Sequence, residues 1–177
     1  MNAHTNTGGN RPVISATGLF TPEDSISNEE LVASYNAYVE QFNAENAAAI
    51  EAGTVEPLAA SSTEFIEKAS GIKSRFVINK SGILDVSRMV PDIPERSNDE
   101  PSLLCEMAVK AAHRALEQAG LAAADLDLIV VATITPDMPF PATACLVQRE
   151  LGATKAAAFD LEAACSGFIY AIEIGRA

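Results

Sequence analysis

Five consecutive apolar residues, Leu128-Ile-Val-Val-Ala132, constrain what this 177-residue chain can fold into more than any other feature. The run is far too short to cross a bilayer, which takes roughly 18 apolar residues or more. It has no polar alternation to mark a wet face. It therefore reads as a strand covered on both sides, the pattern of parallel sheets layered with helices. Its neighbours supply those helices. Ser102 can cap a helix whose Leu104, Met107, Ala108, Ala111 and Ala115 form one apolar stripe, with Glu106, Lys110, His113 and Glu117 opposite and Gly120 at its end. Downstream, Pro136 to Pro141 reads as a loop and Ala142 to Leu151 as a helix stopped by Gly152. Ala156 to Asp160 reads as a second short buried strand, and Ser166 to Ala177 as a further helix. Strands and helices alternating through short connections predict an α/β fold around a parallel sheet.

The upstream signals are more local. Val13-Ile-Ser-Ala-Thr-Gly18 reads as a first strand, preceded by a polar, flexible tail over residues 1–12. Ser27-Asn-Glu-Glu30 is a capping box, followed at helical spacing by Leu31, Tyr35, Tyr38, Val39 and Phe42. Residues 44–62 are rich in Ala and Glu without clear periodicity, and either continue that helix or form a surface excursion. Phe65 to Gly71 reads as a short helical turn and Ser74 to Asn79 as a strand. Residues 83–101, with three prolines and five acids, read as an irregular loop.

Composition excludes several classes. An apolar fraction of 48% suits a globular chain, and a net charge of −12 opposes a nucleic-acid surface. Three scattered cysteines without a CxxC or Cys/His cluster suit reduced thiols and predict no metal site. With no apolar signal core in Met1 to Arg11, the expected place is the cytoplasm, away from any membrane. One stretch departs from the acidity. Lys68, Lys73, Arg75 and Lys80 fall within thirteen residues, with Glu67 the only acid between Ile66 and Lys80. It is either a solvated face or a dock for an anionic partner.

Chemistry concentrates at Phe159-Asp-Leu-Glu-Ala-Ala-Cys165-Ser-Gly-Phe-Ile-Tyr170, where a cysteine stands at the passage from strand to helix. First-turn amides and the helix dipole favour a thiolate there. Small Ala163, Ala164, Ser166 and Gly167 leave room for an incoming thioester. The competing reading is a small core residue, the usual role of a lone cysteine among apolar neighbours. Cys105 and Cys145, inside helical patterns, read as core.

Three segments together carry a resemblance: Leu128-Ile-Val-Val-Ala-Thr133, Phe140-Pro-Ala-Thr-Ala-Cys-Leu-Val-Gln148 and Ala158-Phe-Asp-Leu-Glu-Ala-Ala-Cys-Ser-Gly-Phe168. In order and spacing they resemble β-ketoacyl-acyl-carrier-protein synthase III, a condensing enzyme. Glu64-Phe-Ile-Glu-Lys-Ala-Ser-Gly-Ile-Lys-Ser-Arg75 is similar to the segment which that family places between its first helix and second strand. The resemblance implies an αβαβα thiolase-like fold of two duplicated halves, with residues 13–177 forming the first, and a homodimer. It implies an enzyme that takes an acyl group from acyl-CoA onto Cys165. The acyl group is then condensed with malonyl-acyl-carrier protein, with loss of carbon dioxide, to initiate fatty-acid or related synthesis, and no cofactor is required. Phe140 matches a residue at the family's dimer interface near the acyl pocket, or else staples the entry to its helix. Related thiolase-fold enzymes (a thiolase, a hydroxymethylglutaryl-CoA synthase, a polyketide starter synthase) and a silent assembly half share these features.

The chain also departs from the family. Phe65 stands where a tryptophan often stacks on the CoA adenine, and Ala69 where an arginine is expected. Lys73 and Arg75 keep positive charge for the CoA phosphates or an acidic carrier protein. The family's histidine and asparagine come from the second half, whereas this chain offers only His4 and His113. The chain is therefore expected to need a C-terminal half for catalysis.

Overall fold

Ser27, in its capping box, fixes where the first long helix begins. The computed structural model describes residues 12–97 and 99–176. They form two units, Thr21–Glu95 and a second joining the residues up to Phe20 with those from Arg96 onward. The expected tail, except Pro12, and His4 lie outside the described residues.

In the unit Thr21–Glu95, β1 (Asp24–Ser27) pairs antiparallel with β2 (Ser74–Val77), Asp24 opposite Val77 and Ser27 opposite Ser74. Strand β1 was not expected from the sequence, and β2 is shorter than the expected Ser74 to Asn79. The Ser27 hydroxyl accepts from the Glu30 amide at 3.2 Å and the Glu30 carboxylate accepts from the Ser27 amide at 2.9 Å, which starts α1 (Asn28–Glu45). Residues 44–62 do both things the sequence allowed. They finish α1, form α2 (Ala47–Glu51), then return along α1 as extended chain. Two asparagines hold the return. Asn43 exchanges two 2.9 Å hydrogen bonds with the Leu58 backbone, and Asn36 exchanges bonds of 3.0 and 2.9 Å with that of Ser61. A side-chain amide carries the same donor and acceptor as a peptide, so each asparagine satisfies backbone that has no strand partner. Ser62 caps α3 (Thr63–Ser70), and α4 (Ser81–Leu84) is one turn before the irregular residues that follow.

The other unit runs α5 (Leu103–Ala119), β3 (Leu128–Ala132), α6 (Thr143–Leu151), β4 (Ala157–Leu161) and α7 (Gly167–Arg176). β3 and β4 are parallel, as the alternation predicts, with Leu128 opposite Ala157 and Ala132 opposite Leu161. On one face of the pair, Ile129 and Val131 pack with Cys105 of α5 and Val147 and Leu151 of α6. Each such aliphatic side chain contributes about 1.5–3 kcal/mol when fully buried.

Three expectations are corrected here. Val13–Gly18 joins no ladder among the described residues. The Thr17 amide donates instead to Gln118 Oε1 at 2.8 Å, the Leu19 carbonyl accepts from Arg114, and Val13 and Ile14 stand exposed. A strand exists only through its partner, which local composition does not supply. Second, the core side of α5 is Cys105, Ala108, Val109 and Ala112, not the expected Leu104–Ala115 stripe. One residue is about 100° of rotation, so a helix apolar on two sides does not reveal which one meets the sheet. The small Ala111 and Ala115 serve a different purpose. Gly18 passes so close that a Cβ there would overlap the Ala111 carbonyl oxygen. Third, β3 is half-buried rather than covered on both faces, because α7 shields only part of the second face, and β4, expected to be buried, leaves Ala157 and Phe159 exposed.

The capping box also makes a pH prediction. The Lys80 ammonium, 2.8 Å from Glu30 Oε1, and then the Ser27 amide hold the Glu30 carboxyl below the usual glutamate range. The lowered folded-state value means that this stabilisation is present above the ordinary glutamate value and is lost as pH falls through the lowered one. Glu30→Gln should therefore lower the thermal midpoint at neutral pH, and the two midpoints should converge in acid. A gap that does not change with pH would refute the assignment.

Candidate active site

The strand-to-helix passage is an elbow of three parts. β4 ends at Leu161, a single 3₁₀ turn spans Ala164–Ser166, and α7 starts at Gly167. Cys165 is the middle residue of that turn. Ala164 before it has φ of 45°, in the left-handed region, which costs a non-glycine residue about 1–2 kcal/mol. After it, Gly167 is buried against β3, where a Cβ would lie 3.3 Å from that of Ala132. The strained residue sharpens the turn and the glycine lets the helix start close to the sheet. Between them the Cys165 thiol is exposed, the only one of the three cysteines so placed.

The thiol opens onto a groove of about 710 Å³. Leu128, Val130 and Ala132, the face of β3 turned away from the core, form one wall, and Phe168, Ala171 and Ile172 of α7 the other. The remaining cysteines match their expected role in packing. Cys105 is fully buried, and burial, followed by the nearby Glu150 carboxylate, pushes its thiol up. Cys145 is half-buried, its Sγ donating to the Ala158 carbonyl at 3.8 Å. Among the described residues the only histidine is His113, exposed on α5. No cluster of metal-ligating residues and no helix long and apolar enough to cross a membrane occurs among them either.

Phe140, in the loop between β3 and α6, is 88% exposed. That loop enters α6 through Asp160, a residue whose sequence pattern marks it only as part of a strand. Its two carboxylate oxygens accept from the Thr143 and Ala144 amides, both at 2.7 Å. The helix needs them, because Ala142 at its cap position has no side-chain acceptor.

In the unit Thr21–Glu95, Phe65 lines an apolar groove with Leu31, Val32 and Tyr35 of α1, the return segment Ala59–Ser62, and Met89. Lys73 is exposed just before β2. Arg75 turns partly inward, with Nη2 donating to Asn28 Oδ1 at 3.0 Å and Nη1 buried without a partner among the described residues. Asn28, fully buried, also donates from Nδ2 to the Ile72 carbonyl at 2.6 Å and from its backbone amide to the Lys73 carbonyl at 3.0 Å. It pins the basic segment to the start of α1. Of that segment, Lys80 is neutralised by Glu30, whereas Lys68 and Lys73 form no ion pair with the described residues.

No protein-family model matches the chain. Curated relatives do. The chain is 54% identical over 140 residues to a "beta-ketodecanoyl-[acyl-carrier-protein] synthase" of Pseudomonas aeruginosa, covering 79% of this chain and 40% of that protein. It is 42% identical over 129 residues to a "beta-ketoacyl-[acyl-carrier-protein] synthase III" of Natranaerobius thermophilus, covering 73% and 36%. Among solved structures, 3-oxoacyl-[acyl-carrier-protein] synthase III from Aquifex aeolicus VF5 superposes with a TM-score of 0.60 at 32% identity, over 90% of this chain and 37% of that one. The chain thus spans about two fifths of the length of the relatives it matches, and its α/β fold is of the thiolase-like condensing-enzyme type.

Proposed function

We propose, for a chain that is a homologue of the β-ketoacyl-acyl-carrier-protein synthase III enzymes, that Cys165 is the nucleophile of a decarboxylative condensation. The observation that carries this reading is the exposed thiol on the strained elbow, opening onto an apolar groove. The Cys165 thiolate attacks the carbonyl of an acyl-CoA, the carbon–sulfur bond to CoA breaks, and CoA leaves as its thiolate. Malonyl-acyl-carrier protein then loses carbon dioxide. The resulting carbanion attacks the acyl-cysteine, the cysteine sulfur leaves, and a β-ketoacyl-acyl-carrier protein is released. The whole assembly is a cytoplasmic homodimer that needs no cofactor, with Phe140 at the subunit interface. A C-terminal half contributes the histidine and asparagine that polarise the thioester.

The donor is a medium-chain thioester. The Pseudomonas aeruginosa relative is named for a β-ketodecanoyl product, and condensation with malonate adds two carbons, so a like product here starts from octanoyl-CoA. In the complete enzyme, the adduct mapped by mass spectrometry should lie on Cys165, form fastest with octanoyl-CoA in a chain-length series, and vanish in Cys165→Ala. Acylation at Cys105 or Cys145 would sink the assignment of the nucleophile. Equal rates across the series would sink the assignment of the donor.

Phe65, Lys73 and Arg75 hold the CoA moiety, the ring against the adenine and the two cations toward phosphates. Lys73 gives the clean test, since it is exposed and has no ion-pair partner among the described residues, while Arg75 also satisfies buried Asn28. Lys73→Glu should raise the KM for acyl-CoA about fivefold at low salt, the scale of about 1 kcal/mol for an exposed charge contact. The effect should shrink as salt screens it. An unchanged KM at low ionic strength would return the segment to a solvated face.

The C-terminal half covers α7. Phe168, Ile169 and Tyr170 are 68, 61 and 54% exposed, and Ile172 is also exposed, giving an apolar patch that needs a partner. Residues 1–177 expressed alone should aggregate or self-associate, and co-expression with the downstream half should restore solubility together with acyl transfer to Cys165. A soluble, cooperatively unfolding monomer of 1–177 would refute the need for that half.

A further inference from the structure

Asp160 stands between two features that the proposed reaction needs and belongs to neither. Its carboxylate grips the first two residues of α6, Thr143 and Ala144, which are 2 and 0% exposed. Three residues before Thr143 is Phe140, exposed in the loop that leaves β3. On its own strand, Asp160 pairs with Val131 and is followed by Leu161, the last residue of β4, and then by the strained elbow at Ala164 and Cys165. A helix of nine residues could be capped more simply by a serine or aspartate at position 142, within one turn of its partners. Here the cap comes instead from the strand that carries the nucleophile.

We propose that Asp160 is a positioning residue, which ties the start of α6 and the Phe140 loop to the strand end carrying Cys165 so that elbow and loop keep one arrangement. Hydrogen bonds to an ionised acceptor are short and about twice as strong as neutral ones, and these two leave the helix start no freedom to slide along β4. Such a tie bears on the strain at Ala164. A residue held in the left-handed region relaxes unless the chain on either side is fixed. Gly167 against Ala132 fixes the far side, and on the near side the Asp160 grip on α6 joins the ladder of β4 with β3.

The inference rests on Cys165 as the nucleophile, and its test separates the two. In the complete enzyme, single-turnover acylation by a saturating acyl-CoA is followed by mass spectrometry, beside the thermal midpoint, for the parent, Asp160→Asn, and Asp160→Asn combined with Ala142→Ser. The asparagine keeps the shape but turns an amide donor toward one of the two backbone donors. The serine supplies α6 with a local cap that has no link to β4. The expected result is a loss of acylation rate in Asp160→Asn of ten- to a hundredfold, the scale of a misplacement of about 1 Å. The added serine should restore most of the thermal midpoint and none of the rate. Recovery of both would make Asp160 a helix cap and overturn the proposal, as would a parent-like rate in Asp160→Asn. If Asp160→Asn does not fold, the doubly substituted enzyme alone decides by its rate against the parent's. An adduct missing from Cys165 in the parent overturns the nucleophile and the positioning role together. An intact adduct with a rate indifferent to Asp160 overturns the positioning role alone.

Discussion

The parallel pairing of β3 with β4 sets the geometry of the unit that holds Cys165, because parallel strands cannot be joined by a tight turn. The chain leaves β3 at Ala132, crosses the sheet through α6 and starts β4 at the opposite end, at Ala157. The register then brings both strands to their last residues together, Ala132 beside Leu161. Two connections leave from that one edge. The first is the loop bearing Phe140, and the second is the turn bearing Cys165. In parallel α/β sheets this carboxyl edge is where ligands gather, since loops and helix starts converge there. The placement of the candidate nucleophile is thus a consequence of strand direction and needs no special device beyond the elbow itself.

What the sequence made legible follows from how far each interaction reaches. The capping box was readable because Ser27 and Glu30 are three residues apart and each needs only the other's backbone. The ends of α5 and α6 at Gly120 and Gly152, the strand at Leu128–Ala132 and the elbow at Cys165 are likewise local patterns, and all are present. Interactions that span the chain left no such mark. Asn28 looks like filler in the capping box, yet its side chain serves the Ile72 carbonyl and Arg75, 44 and 47 residues away. Asp160 reaches α6 across 16 and 17 residues, and nothing in Ala142 announces that a cap must come from elsewhere. The same limit explains Val13–Gly18, whose composition suits a strand while its Thr17 amide finds the Gln118 side chain in place of a ladder.

Charge behaves the same way. A net charge of −12 drew attention to four cations between Lys68 and Lys80, which stand alike in the sequence. In the fold they divide. Lys80 belongs to Glu30 and Arg75 to Asn28, so both are occupied in holding β1, β2 and the start of α1 together. The exposed Lys80–Glu30 pair adds little stability. Its consequence is electrostatic, because a neutralised lysine no longer projects a field to a distant anion. Lys68, Lys73 and Arg75, whose partner Asn28 is neutral, keep theirs. The positive potential available to a phosphate is accordingly narrower than the sequence suggests, and it comes from the same short stretch of chain as Phe65.

α7 shows how the demands of the elbow and of packing meet in one helix. For Cys165 to stand free at the turn, the helix must begin hard against β3, which is why Gly167 is buried and the wall facing the groove includes the small Ala171. The larger residues Phe168, Ile169 and Tyr170 then point where no described residue covers them. Their exposure follows from the same placement that exposes the thiol. A helix apolar on nearly every side is stable only when enclosed, and whatever encloses this one must come up to the groove that Cys165 opens onto. A surface that buries α7 therefore also completes the walls around the thiol, so the stability of the helix and the shape of the groove are set by the same contact.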